Sequence, residues 1–170
     1  MFVGKDYDEQ IRYASIRGTT KQRFHGEVTN SDKRFSFSLS LNPKNTALHI
    51  FECPIDLLSY ATLLKLDGKN WKDENYLSLA GVYKKANDQK LIKKPLALDQ
   101  YLENHPYIKT IVTHLDNDEV GIGATTLINE CYGDRYKIID ETPSGNDVND
   151  FLQSTLLVSN KRKRSQDNVR

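Results

Sequence analysis

Asp116 and Asp118 are separated by one residue and directly follow an apolar run at 108–115. Alternate residues leaving a strand can both face one ion, and the short aspartate side chain holds that ion close. Glu52 stands in the same relation to the apolar run at 47–51. Asp147 and Asp150 lie a few residues beyond a fourth run, in Pro143-Ser144-Gly145-Asn146-Asp147-Val148-Asn149-Asp150. Magnesium takes oxygen ligands, keeps several waters and uses one or two carboxylates with substrate phosphates. Manganese accepts the same donors. Carboxylates crowded at one point repel one another unless a cation or a shared proton relieves them. The set therefore predicts a divalent metal or a raised pKa on one member. Glu52 is the natural candidate for the raised pKa, hence for a general acid or base.

Each acid also has a structural reading. An acidic residue after a strand often caps the next helix, and Asp118 stands where it could cap a helix from Val120. Asp56 falls in a first helical turn, where the helix dipole favours a negative charge. The functional reading rests on three acidic positions recurring at three strand ends.

The elements that must position these residues alternate. Arg12 to Arg17 reads as a strand, 23–28 as a short ambiguous segment, and 34–41 as a strictly alternating strand with Phe35, Phe37, Leu39 and Leu41 on one face. From Thr46 the rhythm becomes strand and helix by turns. Strands are expected at 47–51, 75–80, 108–115 and 136–140. Helices are expected at 55–65 with Leu58, Ala61 and Leu64 facing the core, at 97–104, at 120–132 and at 147–158. Such alternation predicts a mainly parallel sheet with helices on both faces. Ligands in these sheets bind beyond the carboxyl ends of the strands, which is where the acids fall.

The net charge of +1 hides clusters of basic residues at 21–34, 84–94 and in Lys161-Arg162-Lys163-Arg164. A basic rim around an acidic metal site suits a protein that handles polyanions. No apolar run approaches the roughly 20 residues that span a bilayer. The N-terminus lacks the order of a signal peptide, so a cytoplasmic location is expected, with no membrane partner. Two cysteines, Cys53 and Cys131, argue weakly for a disulfide, and no Cys or His spacing reads as a zinc site.

Phe51-Glu52-Cys53-Pro54-Ile55-Asp56 resembles the Toprim glutamate motif, an apolar strand followed by Glu, a small residue, two variable residues and Asp. Leu115-Asp116-Asn117-Asp118-Glu119-Val120-Gly121 resembles the Toprim Asp-x-Asp motif. Gly145 to Asp150 is similar to the later Gly-Lys-Asp element of bacterial primases. The three occur in order over about 46–157. The resemblance is strongest to primase-like Toprim proteins of mobile genetic elements in Gram-positive bacteria, which often carry a preceding zinc module that is absent here. The chain is thus expected to be a piece of a longer protein or a shortened form. Cys53 replaces the glycine that commonly follows the glutamate, and Pro54 at the first helical position is well tolerated.

The resemblance implies an α/β fold, the Rossmann-like Toprim fold. It would have a roughly four-stranded parallel sheet flanked by helices, preceded by a small antiparallel β region. The expected organisation is a β-rich basic region at 1–45, the Toprim domain at 46–158 and a basic, disordered tail at 159–170. It implies Glu52 as general acid or base, Asp116 and Asp118 as magnesium ligands, Asp147 as a later acidic ligand and Asp56 as support; Asp150 either supports them or simply sits in the first turn of the last helix.

Gly121 and Gly123, opening the helix after Asp118, could let backbone amides approach a phosphate or allow close helix packing. Gly81 has the same two readings. Arg17, Arg23, Lys33 and Arg34 could track nucleic acid together, or each could be a solvated strand end. His114 shares side-chain parity with Asp116 and suits packing better than magnesium. Cys53 lacks the histidine arrangement of a nucleophile. Trp71 and the tyrosines could stack on bases or serve as core.

The expected function is magnesium-dependent phosphoryl transfer of primase type, acting on single-stranded DNA and nucleotides in replication or transfer of a mobile element, with replication or conjugation proteins as partners. The rivals are a magnesium nuclease using the same acids, and a DNA-binding accessory module without catalysis. A topoisomerase fits poorly, because one small domain offers no gate to hold cleaved strands.

Overall fold

The computed structural model describes residues 1–19, 24–81 and 94–167, with side chains through 159. Eight strands and four helices follow in the order β1 (Phe2–Lys5), β2 (Ile11–Arg17), β3 (His25–Glu27), β4 (Ser38–Ser40), β5 (Ala47–Phe51), α1 (Pro54–Leu66), β6 (Asn75–Ser78), α2 (Leu96–Asn104), β7 (Thr110–Thr113), α3 (Glu119–Tyr132), β8 (Lys137–Asp140) and α4 (Val148–Asp167). The first three strands form a small antiparallel sheet, and the other five form the main sheet in the order β4-β6-β5-β7-β8. The pairs β5–β6, β5–β7 and β7–β8 are parallel, and β4 closes one edge antiparallel to β6. The expected α/β fold is present, with a parallel-rich sheet flanked by helices and a separate antiparallel sheet. β4 lies before residue 46 yet pairs with β6.

β5 is the central strand, and four of its five residues are buried, so alternate side chains feed two cores. On one face Leu48 and Ile50 pack with Leu98, Ile111, Leu115 and Ile128, under α2 and α3. On the other, Phe51 packs with Leu57, Ala61, Leu64 and Val148, under α1 and α4. α1 starts with Pro54, and Gly68, just beyond its end, takes φ of 74°. α1 buries Leu57 rather than the expected Leu58, which is 39% exposed. The buried set includes Asp56 and Ser59, so polarity alone misplaces the inward face of this helix.

Two further expectations are corrected. The alternating run 34–41 is not one strand. Asp32 caps a 3-10 turn over Lys33–Phe35 through Arg34 N, and only Ser38–Ser40 pairs. The cap, reinforced by Arg34 gripping Asp32 at 2.7 Å, outweighs the period-two pattern. β7 stops at Thr113, leaving buried His114 and Leu115 as a connector to Asp116. α4 runs on to Asp167, and Lys, Arg and Gln in its last turns favour helix with no Gly or Pro to interrupt it. Among the described residues no helix is long and apolar enough to cross a membrane.

The antiparallel sheet docks on the main sheet through the 3-10 turn. Gly4 passes so close to the Phe35 carbonyl that a Cβ there would lie 1.6 Å from its oxygen. Phe2 meets Phe37 edge-on at 5.6 Å.

Candidate active site

Because β6, β5, β7 and β8 are parallel, their carboxyl ends share one edge of the sheet. Glu52 follows β5 directly, Asp116 follows β7 after the two-residue connector, and 145–150 follows β8. Backbone bonds fasten these segments together. Asn117 N donates to Asn146 O at 2.8 Å, joining the loop after β7 to the loop after β8. Gly81 N donates to Glu52 O at 3.0 Å, joining the turn after β6 to the end of β5. Ser59 of α1 donates to Asn149 Oδ1 at 3.2 Å, and the Asn149 backbone bonds the Asp56 carboxylate.

The acids feel one another. Burial raises the Glu52 carboxyl, and the charges of Asp118, Asp56 and Asp147 add to it, while hydrogen bonding to Asp116 pulls it partly back. Asp116 is pushed up to about 7, first by burial, then by Glu52, Asp56, Asp147 and Asp118. The larger shift thus falls on Asp116 rather than on Glu52: burial acts first on both, four acids then add to it at Asp116, and at Glu52 the hydrogen bond to Asp116 works against it. The Glu52 charge raises the cost of ionising Asp116, and the two share a hydrogen bond, so they interact directly. Asp56, buried, is also raised, and it accepts from the Cys53 thiol at 2.8 Å. Burial, and then the Asp56 charge and contact, push the Cys53 thiol up to about 12, which suits a hydrogen-bond donor and not a nucleophile.

Asp118 and Asp147 each do local structural work. Asp118 Oδ1 accepts from Val120 N at 2.9 Å and Gly121 N at 2.8 Å, capping α3. Asp147 Oδ1 accepts from Asp150 N at 2.6 Å at the start of α4. Asp150 turns outward and accepts from Asn146 Nδ2 at 3.1 Å. Among the described residues no three His, Cys, Asp or Glu side chains are gathered closely enough to hold a metal ion as they stand. The donor chemistry nonetheless fits a hard divalent cation. The donors are carboxylate oxygens, and their repulsion, visible at Asp116, is what such an ion relieves.

A groove of about 330 Å³ runs between Glu52, Cys53, Pro54, Ala80 and Gly81 on one side and Arg17, His25 and Tyr13 of the antiparallel sheet on the other. Arg17 therefore faces the site. Lys33 is occupied, with Nζ 3.1 Å from Ala80 O and 3.0 Å from Glu27 Oε1. Arg34 lies apart, paired with Asp32 beside a different hollow that includes Lys5 and His105. Arg23 lies outside the described residues.

The three glycines differ. Gly121 packs against the Asp116 segment, where a Cβ would meet Asp116 O at 2.0 Å, and its amide is taken by Asp118. Gly123 has open space around it. Gly81 has φ of 90°.

His49 is a residue the sequence reading passed over. Its Nδ1 lies 2.8 Å from His114 Nε2, inside the face lined by Phe51 and Tyr60. Burial, and then His49, push His114 down to about 3. The available signal was a histidine in the middle of an apolar strand, sharing parity with Phe51.

A family model described as Toprim-like matches residues 49–152. No curated protein sequence matches the chain. The primase fragment of the bacteriophage T7 primase-helicase protein is similar with a TM-score of 0.57 and 14% identity, over 87% of this chain and 55% of that one. This chain thus spans little more than half the length of that structure. A bacteriophage T7 lagging-strand DNA polymerase, interacting with primase domains of two gp4 subunits bound to an RNA/DNA hybrid and dTTP, provides a second similar chain. There the TM-score is 0.55 and the identity 17%, over 97% of this chain and 74% of that one. At such identities the likeness is one of fold. The family match covers all three acidic strand ends and well over half of the sequence, and the chain belongs to the Toprim-like family.

Proposed function

We propose that the chain is a Mg²⁺-dependent phosphoryl-transfer domain of primase type that acts on single-stranded DNA and nucleotides. The observation that carries this reading is that the parallel strands end in acids at one sheet edge, Glu52 after β5, Asp116 after β7 and Asp147 beyond β8, where burial and the neighbouring acids push Asp116 up to about 7. An assembly of mutually repelling carboxylates costs stability, and such costs are retained at functional sites. Asp116, Asp118 and Asp147 would hold the ion, with Mn²⁺ able to substitute, and Asp56 and Asp150 would support their loops. When bound, the cation would neutralise phosphate charge and activate the attacking oxygen.

The remaining work belongs to the chain. Glu52, half-buried with a raised pKa, would take or give a proton at the groove wall. Arg17, across the groove, would pair with a phosphate of the bound strand. The antiparallel sheet would shield the reacting atoms from water. The setting suggested by the motifs is replication or transfer of a mobile element, with replication or conjugation proteins as partners.

The test is incubation with single-stranded DNA, ribonucleotides and Mg²⁺ or Mn²⁺. Oligonucleotide ladders are expected, and Glu52→Gln should abolish them. DNA degradation without synthesis would assign the same acids to a nuclease. No metal binding by calorimetry, or unchanged affinity in Asp116→Ala, would leave only an accessory binding role.

A further inference from the structure

Lys33 was a candidate for phosphate contact, yet its ammonium already has two partners. It bonds Glu27 Oε1 on β3 at 3.0 Å and the Ala80 carbonyl at 3.1 Å. Glu27 is itself held by the Tyr13 hydroxyl at 3.0 Å, and Tyr13 is almost fully buried. Lys33 and Glu27 side chains are each 35% exposed, so the bridge is partly withdrawn from water.

The far end of this bridge is an unusual piece of backbone. Ala80 has φ of 56° and Gly81 φ of 90°, two successive residues in the left-handed region. For glycine that conformation is free, but for alanine it costs roughly 1 kcal/mol or more. Something must hold Ala80 there. Lys33 is the side chain that bonds its carbonyl, and the Ala80 amide is held by Ser78 Oγ at 3.3 Å. The turn presents Gly81 N to Glu52 O at 3.0 Å, immediately after Leu79 N has bonded Phe51 O at 2.8 Å. The backbone that carries Glu52 is therefore fixed from the turn that Lys33 grips.

We propose that Lys33 is a positioning residue for Glu52. Its ammonium straps the antiparallel sheet to the left-handed turn at 80–81, and that turn fixes both the Glu52 backbone and the width of the groove. Its effect on catalysis rests on the function proposed above; the strap itself does not.

Amide exchange in the metal-free protein tests the strap without any activity. In Lys33→Met the Gly81 amide should exchange about tenfold faster, the size expected when a hydrogen bond to a charged group is lost, while β5 and β7 core amides keep their protection. Lys33→Arg should restore most of the protection. Glu27→Gln should loosen the same amide to a smaller extent. Adding Ala80→Gly to Lys33→Met should recover protection, because glycine takes the turn without strain. Where primer synthesis is measurable, Lys33→Met should lower kcat with KM little changed. Unchanged Gly81 exchange in Lys33→Met overturns the strap. A raised KM with unchanged exchange also overturns it and makes Lys33 a direct substrate contact. Faster Gly81 exchange in a protein that proves to lack synthesis supports the strap and removes only the primase reading.

Discussion

Single atoms decide which glycines matter. Gly121 and Gly123 open the same helix, and both could be read from sequence as phosphate-approach positions. Only Gly121 is confined, with its absent Cβ directed at the Asp116 carbonyl. Gly121→Ala should therefore destabilise by about 1–3 kcal/mol, as overpacking does, and should shift the Asp116 loop. Gly123→Ala should stabilise by up to about 1 kcal/mol, since it is exposed in a helix interior with nothing in the way. Urea unfolding in metal-free buffer distinguishes the two signs. A loss of DNA binding in Gly123→Ala despite the gain in stability would restore the phosphate reading at that position.

Elements carry double duties that sequence motifs do not separate. Asp118 is both a candidate ligand and the cap of α3, and its two roles can be pulled apart. Asparagine caps as well as aspartate, whereas alanine loses about 1 kcal/mol. Asp118→Asn should leave metal-free stability nearly unchanged yet weaken Mg²⁺ binding at least tenfold by calorimetry. Asp118→Ala should lose both. Equal Mg²⁺ affinity in wild type and Asp118→Asn would reduce the residue to a cap. The strands were legible where the pattern was local and one force dominated, as at 47–51. The run 34–41 was misread because a capped turn satisfied its backbone better than a ladder. Ser36, not one of the expected apolar residues, is the one fully buried there.

The whole molecule carries two opposing pH linkages, from a carboxyl raised and a histidine lowered near one sheet edge. Asp116 has its pKa raised to about 7 by burial and neighbouring acids, so the fold binds more protons than the unfolded chain and its metal-free stability falls as pH rises towards neutrality. His114 has its pKa lowered to about 3 by burial and His49, so its contribution is complete above the unfolded value near 6.5 and is lost as pH falls towards 3. Between pH 5 and 7 each of these two terms is about 1–2 kcal/mol and the signs oppose. Asp116→Asn should expose the histidine term and be less stable at pH 5 than at pH 7. His114→Gln should expose the carboxylate term and be more stable at pH 5. Denaturant midpoints at the two pH values test both, and parallel behaviour of the two variants would refute the opposition.

By itself the sequence determined the chemistry available and its place on the strands. Glu52, Asp116 and Asp118 follow apolar runs, and the order of strand and helix dictates that parallel strands deliver such residues to one edge. These are local facts, fixed by period and by neighbours a few residues away. Only the tertiary structure decided how charge is shared among the acids, since Asp116 is raised first by burial and then by acids at 52–56 and 147 that lie far from it in sequence, as well as by neighbouring Asp118. Only the tertiary structure sent Lys33 to the Ala80 carbonyl and Arg34 to Asp32, although the two are adjacent in sequence. A 3-10 turn points successive side chains in different directions, and what each one meets depends on segments that no spacing rule connects to it.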